Sequence, residues 1–158
     1  MPPVLEKTPA AMGLTIDRQT HTIRLVRDFS APRAQIFEAW TQPDQVAVWW
    51  DPAGLRLAAC DIDLRPGGGF KFVSQGHPDM AFSGTYLEIA PPDRLVFEAM
   101  GATGRVLLEG SADQTRMAVD IQCRGAEHLE QFLKMGVDVG TAQTLDNLVA
   151  YVGASEKA

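Results

Sequence analysis

Few side chains of this 158-residue chain are able to do chemistry, and they are scattered. A metal centre needs several His, Cys or carboxylate ligands converging at defined spacings. His21, His77 and His128 fall in a strand start, a turn and a helix start, and none stands at ligand spacing from another histidine or a cysteine. No metal and no cofactor is expected. Nucleophilic catalysis needs a serine or cysteine beside a base, but there is no G-x-S-x-G elbow and no phosphate-binding glycine loop. The glycines of RPGGG, residues 65–69, precede a strand, so they lack the helix N-terminus that cradles phosphate. A turn or bulge with positive φ is their expected role. Cys60 and Cys123 each sit in an apolar, strand-like segment, which predicts buried free thiols rather than a disulfide. Acid–base chemistry rests on Asp61, Asp63, Glu88, Glu98 and Glu109, all in strands with apolar neighbours. A carboxylate aimed into a dry cavity would have a raised pKa and could act as a general acid or base. The solvent side of an alternating strand is the more ordinary place for such residues. Arg65 is expected to brace Asp61 or Asp63. Tyr86 and His77 are held to the same standard, and no catalytic residue is assigned.

The apolar and aromatic residues stand out more. Residues 39–52, AWTQPDQVAVWWDP, hold all three tryptophans, Trp40, Trp49 and Trp50. Small-molecule pockets are lined mainly by such side chains with a few polar groups. Trp49, Trp50, Phe70, Phe72, Phe82, Tyr86, Phe97, Met117 and Met135 are the candidate ligand-binding residues, with Met100 beside them. Core packing accounts for most of them equally well. Trp40 is expected in the core. Trp49 and Trp50, being adjacent, must diverge, one toward a cavity and the other toward its rim or solvent.

The elements that must position these residues follow from periodicity. Residues 1–20 show no clear period and read as a flexible leader, with a short strand near Leu14–Ile16. HTIRLVRDF alternates as a strand, Ile23, Leu25 and Arg27 against Arg24, Val26 and Asp28. SAPRAQIFEAW predicts a helix with Ser30 as N-cap, Pro32 in the first turn, and Ile36, Phe37 and Trp40 on one face. Pro43 and Asp44 start a second short helix that runs to the DPAG turn. From Leu55 to Arg124, turn signals recur about every ten residues, which predicts an antiparallel meander of six strands. Met117, Val119, Ile121 and Cys123 share one face of the last of these. In AFSGTYLEIA the facing is ambiguous, since Phe82 and Tyr86 share one side and Leu87 and Ile89 the other. From Ala126 to Val152 the period becomes helical, enough for a helix of about 40 Å. Gly136 and Gly140 interrupt it, either to allow close packing on the sheet or to leave room above it.

The expected fold class is α+β. A curved seven-stranded antiparallel sheet wraps a long C-terminal helix, and two short helices after the first strand close one end. The domain spans 21–153, with 154–158 as a disordered tail. The segments FSAPRAQIFEAWTQPDQVAVWW, DIDLRPGGGFKF, FSGTYLEIAPPDRLVF and MGVDVGTAQTLDNLVAYV resemble, in order, the activator of heat shock protein 90 ATPase homologue family. That family lies in the START-like (SRPBCC) superfamily, with polyketide cyclases, lipid-transfer domains and pollen-allergen-like proteins. The resemblance spans residues 22–152 and implies the same helix-grip fold with an internal cavity. Within it, Trp40, Pro43, Trp49 and Trp50 mark the two-helix corner, Asp63, Arg65, Pro66, Gly67 and Gly68 a turn between strands, and Gly84, Pro91, Pro92 and Leu95 the next hairpin. The family commonly carries a tryptophan after the glycine of the final helix, where this chain has Gly140-Thr141. Loss of that indole is expected to enlarge or repolarise the cavity. The eukaryotic co-chaperone has a separate N-terminal domain for which this chain has no room, so the family name is weak support for chaperone binding.

The formal net charge of -6 and the pI near 5.0 argue against a nucleic-acid or anionic-membrane surface. No apolar run approaches the roughly 20 residues that span a bilayer, and MPPVLEKTPAAMG lacks the pattern of a signal peptide. The expectation is a small cytoplasmic domain that binds an apolar or amphipathic small molecule in an internal cavity, without catalysis. Two alternatives stand beside it: a cyclase- or hydrolase-type enzyme using a cavity carboxylate or tyrosine, and a chaperone-interacting module of the stress response. A homodimer through an edge strand is also open.

Overall fold

The computed structural model describes the backbone of residues 13–76 and 81–157, and the side chains of 13–76 and 81–153. His77 and residues 1–12 of the expected leader lie outside the described residues. One antiparallel sheet forms the frame. Its strands are β1 (Leu14–Asp17), β2 (Thr22–Phe29), β3 (Ala59–Ile62), β4 (Gly69–Val73), β5 (Phe82–Ala90), β6 (Arg94–Ala99), β7 (Ala102–Gly110) and β8 (Thr115–Gln122). They lie side by side in the order β1-β2-β8-β7-β6-β5-β4-β3. The meander runs from β3 to β8, and β2 pairs with the last strand, so early and late parts of the chain lie side by side, second and third from one edge of the sheet. Helices α1 (Arg33–Thr41) and α2 (Pro43–Trp49) follow β2, and α3 (Ala126–Lys134) and α4 (Val137–Lys157) follow β8.

Three details differ from the expectation. The sheet has eight strands, because the short segment near Leu14–Ile16 pairs fully with β2 and packs Leu14 and Ile16 on the core. The C-terminal helix is two helices, since Gly136 takes φ 76°, a conformation that ends α3 at Met135 and lets α4 start in a new direction. At 21 residues, α4 is about 31 Å long. Finally, Ser30 is not the cap of α1: the helix begins at Arg33, and the extended Pro32 occupies the cap position without a side-chain bond. Pro43 does open α2, as its missing N–H allows.

The alternation in β8 and β2 holds. Ile23, Leu25, Met117 and Val119 are almost wholly buried on the concave face, and Arg27 continues that row to pair with Asp146 of α4 at 3.0 Å. The ambiguous facing of β5 is resolved by a bulge between Tyr86 and Glu88. Leu87 faces out, 48% exposed, and the register shift beyond it returns Ile89, paired with Leu95, to the inner face that Tyr86 occupies. The RPGGG turn explains the bulge: Gly67 N–H donates to the Tyr86 carbonyl at 2.7 Å and Tyr86 N–H donates to Gly68 O at 2.8 Å. Gly67 has φ 88°, and a side chain at Gly68 would meet the Asp63 carbonyl oxygen at 2.2 Å. Both glycines are therefore required by geometry, one by conformation and one by close approach.

Candidate functional site: the cavity under the fourth helix

The cavity is a consequence of side-chain size on two facing surfaces. Cross-strand rows on the concave face run Leu95–Val106–Val119–Leu25, then Phe97–Gly104–Ile121–Ile23, then Ala99–Ala102. Toward the β6–β7 turn these rows shrink to Ala99, Ala102 and Gly104. On α4 the facing positions are Val137, Gly140, Thr141, Thr144 and Leu145, spaced as one helical stripe. Further along, Leu148 and Val152 are buried in solid core. Small residues thus oppose small residues at one end only, and a cavity of about 260 Å³ lies between them. Trp40, Trp50 and Pro52 close its corner side, Phe132 of α3 and Met100 of the β6–β7 turn its other side, and Phe82 and Phe97 its aromatic wall. Gly140 answers the question its position raised: nothing lies within 4 Å of a side chain built there, so it leaves room rather than enabling contact.

Each wall is held by identifiable bonds. Met100 and Gly101, with φ 55° and 80°, form the two-residue turn between β6 and β7 in the twist that suits a hairpin. His128 fixes α3 to that turn: its Nδ1 accepts from the Arg124 N–H at 3.0 Å and its Nε2 donates to the Met100 carbonyl at 3.2 Å. The ring also packs edge-on against Phe132, 4.5 Å between centroids. On the opposite side α4 clamps the tryptophan corner through Thr144, Asn147 and Tyr151, three positions on one helical face. Thr144 donates to the Trp50 carbonyl at 2.9 Å, Asn147 to the Asp51 carbonyl at 3.0 Å, and Tyr151 to Gln45 at 3.0 Å.

The two adjacent tryptophans diverge as required, but not to cavity and rim. Trp50 lines the cavity, 4.9 Å from Phe72 and 5.1 Å from Phe82 between ring centroids. Trp49 is 1% exposed, in the core rather than at a rim. Its indole N–H donates to the Ala39 carbonyl at 3.0 Å. That carbonyl would ordinarily bond to the N–H four residues on, and residue 43 is proline, which has none. The indole supplies the missing donor and so is drawn inward. Trp40 is buried against Met117, donating to its Sδ at 3.3 Å.

Of the residues expected to line a site, the structure brings Trp50, Phe82 and Phe97 to the cavity, with Met100 at its edge. Phe70, Phe72 and Tyr86 lie behind that wall, around a separate void of about 20 Å³, as part of an aromatic stack that plugs the end of the grip. Trp49 and Met117 are solid core, and Met135 is 61% exposed at the break between α3 and α4. The residues missed include the small and polar ones, Ala99, Ala102, Gly104, Thr141 and Thr144, and also apolar ones read only as core or helix stripe, such as Trp40, Val119, Ile121, Phe132 and Leu145. Only the Gly140-Thr141 pair carried a sequence signal.

The titratable groups lie elsewhere. Asp61, Asp63, Glu98 and Glu109 are exposed, Asp63 pairs with Arg65 at 3.0 Å, and half-buried Glu88 pairs with Arg94 at 3.3 Å. None of the five is among the residues lining the cavity. Burial raises the Tyr86 hydroxyl well above its usual range, keeping it protonated. Burial first, then Asp61 and Asp44, push the Cys60 thiol up to about 11, and burial also raises Cys123. Both cysteines are free, Cys123 buried and Cys60 half-buried. Among the described residues, no three His, Cys, Asp or Glu side chains converge as a metal site, and no helix is long and apolar enough to cross a membrane.

The sequence profile of the Activator of Hsp90 ATPase homolog 1-like proteins matches residues 30–153. No curated protein matches the sequence. Among solved structures, a protein from Nitrosomonas europaea superposes with TM-score 0.79 at 21% identity, over 90% of this chain and 100% of that one. One from Mycobacterium smegmatis gives 0.77 at 22% identity, over 90% and 97% of the two chains. One from Arthrobacter aurescens gives 0.77 at 19% identity, over 91% and 92%. At these identities the likeness concerns the fold.

Proposed function

The chain belongs to the family of Activator of Hsp90 ATPase homolog 1-like proteins, and from that footing we propose that it binds an apolar or amphipathic small molecule in its internal cavity, without catalysing a reaction. The observation that carries this reading is a space of about 260 Å³ walled by Trp50, Phe82, Phe97, Phe132 and Ile121, with no ionisable side chain among the described residues that line it. Apolar cavities of this kind favour ligands that leave water for carbon surface. The outward facing of the strand carboxylates counts against a general acid or base acting there. A chaperone partner rests on the family description alone. Native mass spectrometry of the protein taken from cell extract tests the proposal: a retained small molecule is the expected result. If nothing is retained, and naphthalene-class probes also fail to bind, the reading is wrong.

A further inference from the structure

The cavity's polar groups are unequal in what they leave free. The carbonyls at its border are already engaged: Trp50 O accepts from Thr144, Asp51 O from Asn147, and Met100 O from His128. The donors are not. Two of the three indoles are committed, Trp40 to Met117 and Trp49 to Ala39. Trp50 Nε1 has no hydrogen-bond partner among the described residues, and neither has the Thr141 hydroxyl. Both residues line the cavity, and neither polar atom is shut off from open space. The hydroxyl of Thr144, the other lining threonine, is spent on the Trp50 carbonyl.

We infer that the cavity selects neutral, ring-bearing molecules that carry a hydrogen-bond acceptor such as a ketone oxygen, which Trp50 Nε1–H and the Thr141 hydroxyl recognise. This rests on the proposed function and specifies its ligand class. Aromatic walls favour a ring through offset and edge contacts. No described residue on the wall is ionisable, which disfavours a charged ligand, since none of these side chains would offset its desolvation. A donor left without a partner gains a hydrogen bond when an acceptor arrives, whereas a purely hydrocarbon ligand would cover it unpaired.

The test compares three probes by calorimetric or equilibrium-dialysis titration: 2-acetylnaphthalene, its near-isostere 2-ethylnaphthalene, and anionic 2-naphthoate. The expected result is that the ketone binds about 3- to 10-fold tighter than the ethyl compound, the range of one or two neutral hydrogen bonds. The naphthoate should bind at least about 100-fold more weakly than the ketone. Thr141→Val and Trp50→Phe should each bring the ketone-to-ethyl ratio toward one, the ratio being the readout because both residues also line the cavity and either change shifts the affinity for both neutral probes together. Thr141→Ser should keep the preference. Equal binding of the two neutral probes by the native protein overturns the inference and leaves the cavity-binding reading intact. So does a ratio that survives both Thr141→Val and Trp50→Phe, or naphthoate binding as tight as the ketone's. Failure of both neutral probes to bind removes the cavity-binding reading and this inference with it.

Discussion

A methyl group at position 104 would meet the Phe97 ring at 2.6 Å, because that ring lies across the partner strand's glycine. Phe70 lies over Gly84 in the same way. Gly104→Ala must therefore drive Phe97 off its seat, at a cost of about 1–3 kcal/mol. Each kcal/mol lowers Tm by about 2–4 °C for a domain of this size. Gly140→Ala should do the opposite, since its new methyl meets nothing within 4 Å and alanine gains up to about 1 kcal/mol in a helix. Thermal unfolding of the two variants beside the native protein decides both. The Cys60 thiol makes a third prediction. Its pKa rises from 9.0 to about 11 on folding, so the folded state holds that proton more tightly than the unfolded chain does. The resulting stability is complete below pH 9 and is lost as pH climbs through about 11. Urea unfolding at pH 7, 9 and 11 should show a steeper loss above pH 9 for the native protein than for Cys60→Ala. Parallel curves would remove the thiol from the account.

At the scale of elements, α4 is the member that organises the site. Its Thr144, Asn147 and Tyr151 hold the stretch between α2 and β3 by its main-chain carbonyls and by Gln45. Trp50 therefore owes its position to α4, a hundred residues away along the chain, more than to its own short helix. Thr144→Val, which keeps shape and removes the donor, should strand the Trp50 carbonyl and cost about 1–3 kcal/mol. It should also shift Trp50 fluorescence to the red as the corner loosens. Unchanged Tm and emission would show that the clamp contributes nothing. α3 plays the equivalent part on the other side through His128, whose two ring nitrogens are both engaged and whose neutral form alone can accept from Arg124 while donating to Met100.

For the molecule as a whole, the cavity exists because the small ends of two surfaces coincide, with α4 crossing the sheet so that Gly140 and Thr141 stand over Ala99, Ala102 and Gly104. Gly140→Leu fills that space from the helix side. It should weaken 2-ethylnaphthalene binding by at least about tenfold while Tm stays level or rises, since leucine is the better helix former by about 0.8 kcal/mol. Loss of binding with loss of folding would instead make Gly140 a packing residue. Much of this architecture was legible in the chain: the alternation of Met117, Val119, Ile121 and Cys123, the proline that opens α2, and the short edge strand at Leu14. Those features depend on local sterics and on which residues recur every second or every third and fourth position. The cavity does not. Its walls come from α1, the corner after α2, β5 to β8, α3 and α4, and an empty space is a difference between volumes supplied by residues far apart in sequence. Adjacency required Trp49 and Trp50 to part. Only the packed structure decided that Trp49 turns inward to the carbonyl that Pro43 leaves without a donor, and that Trp50 is left facing the space.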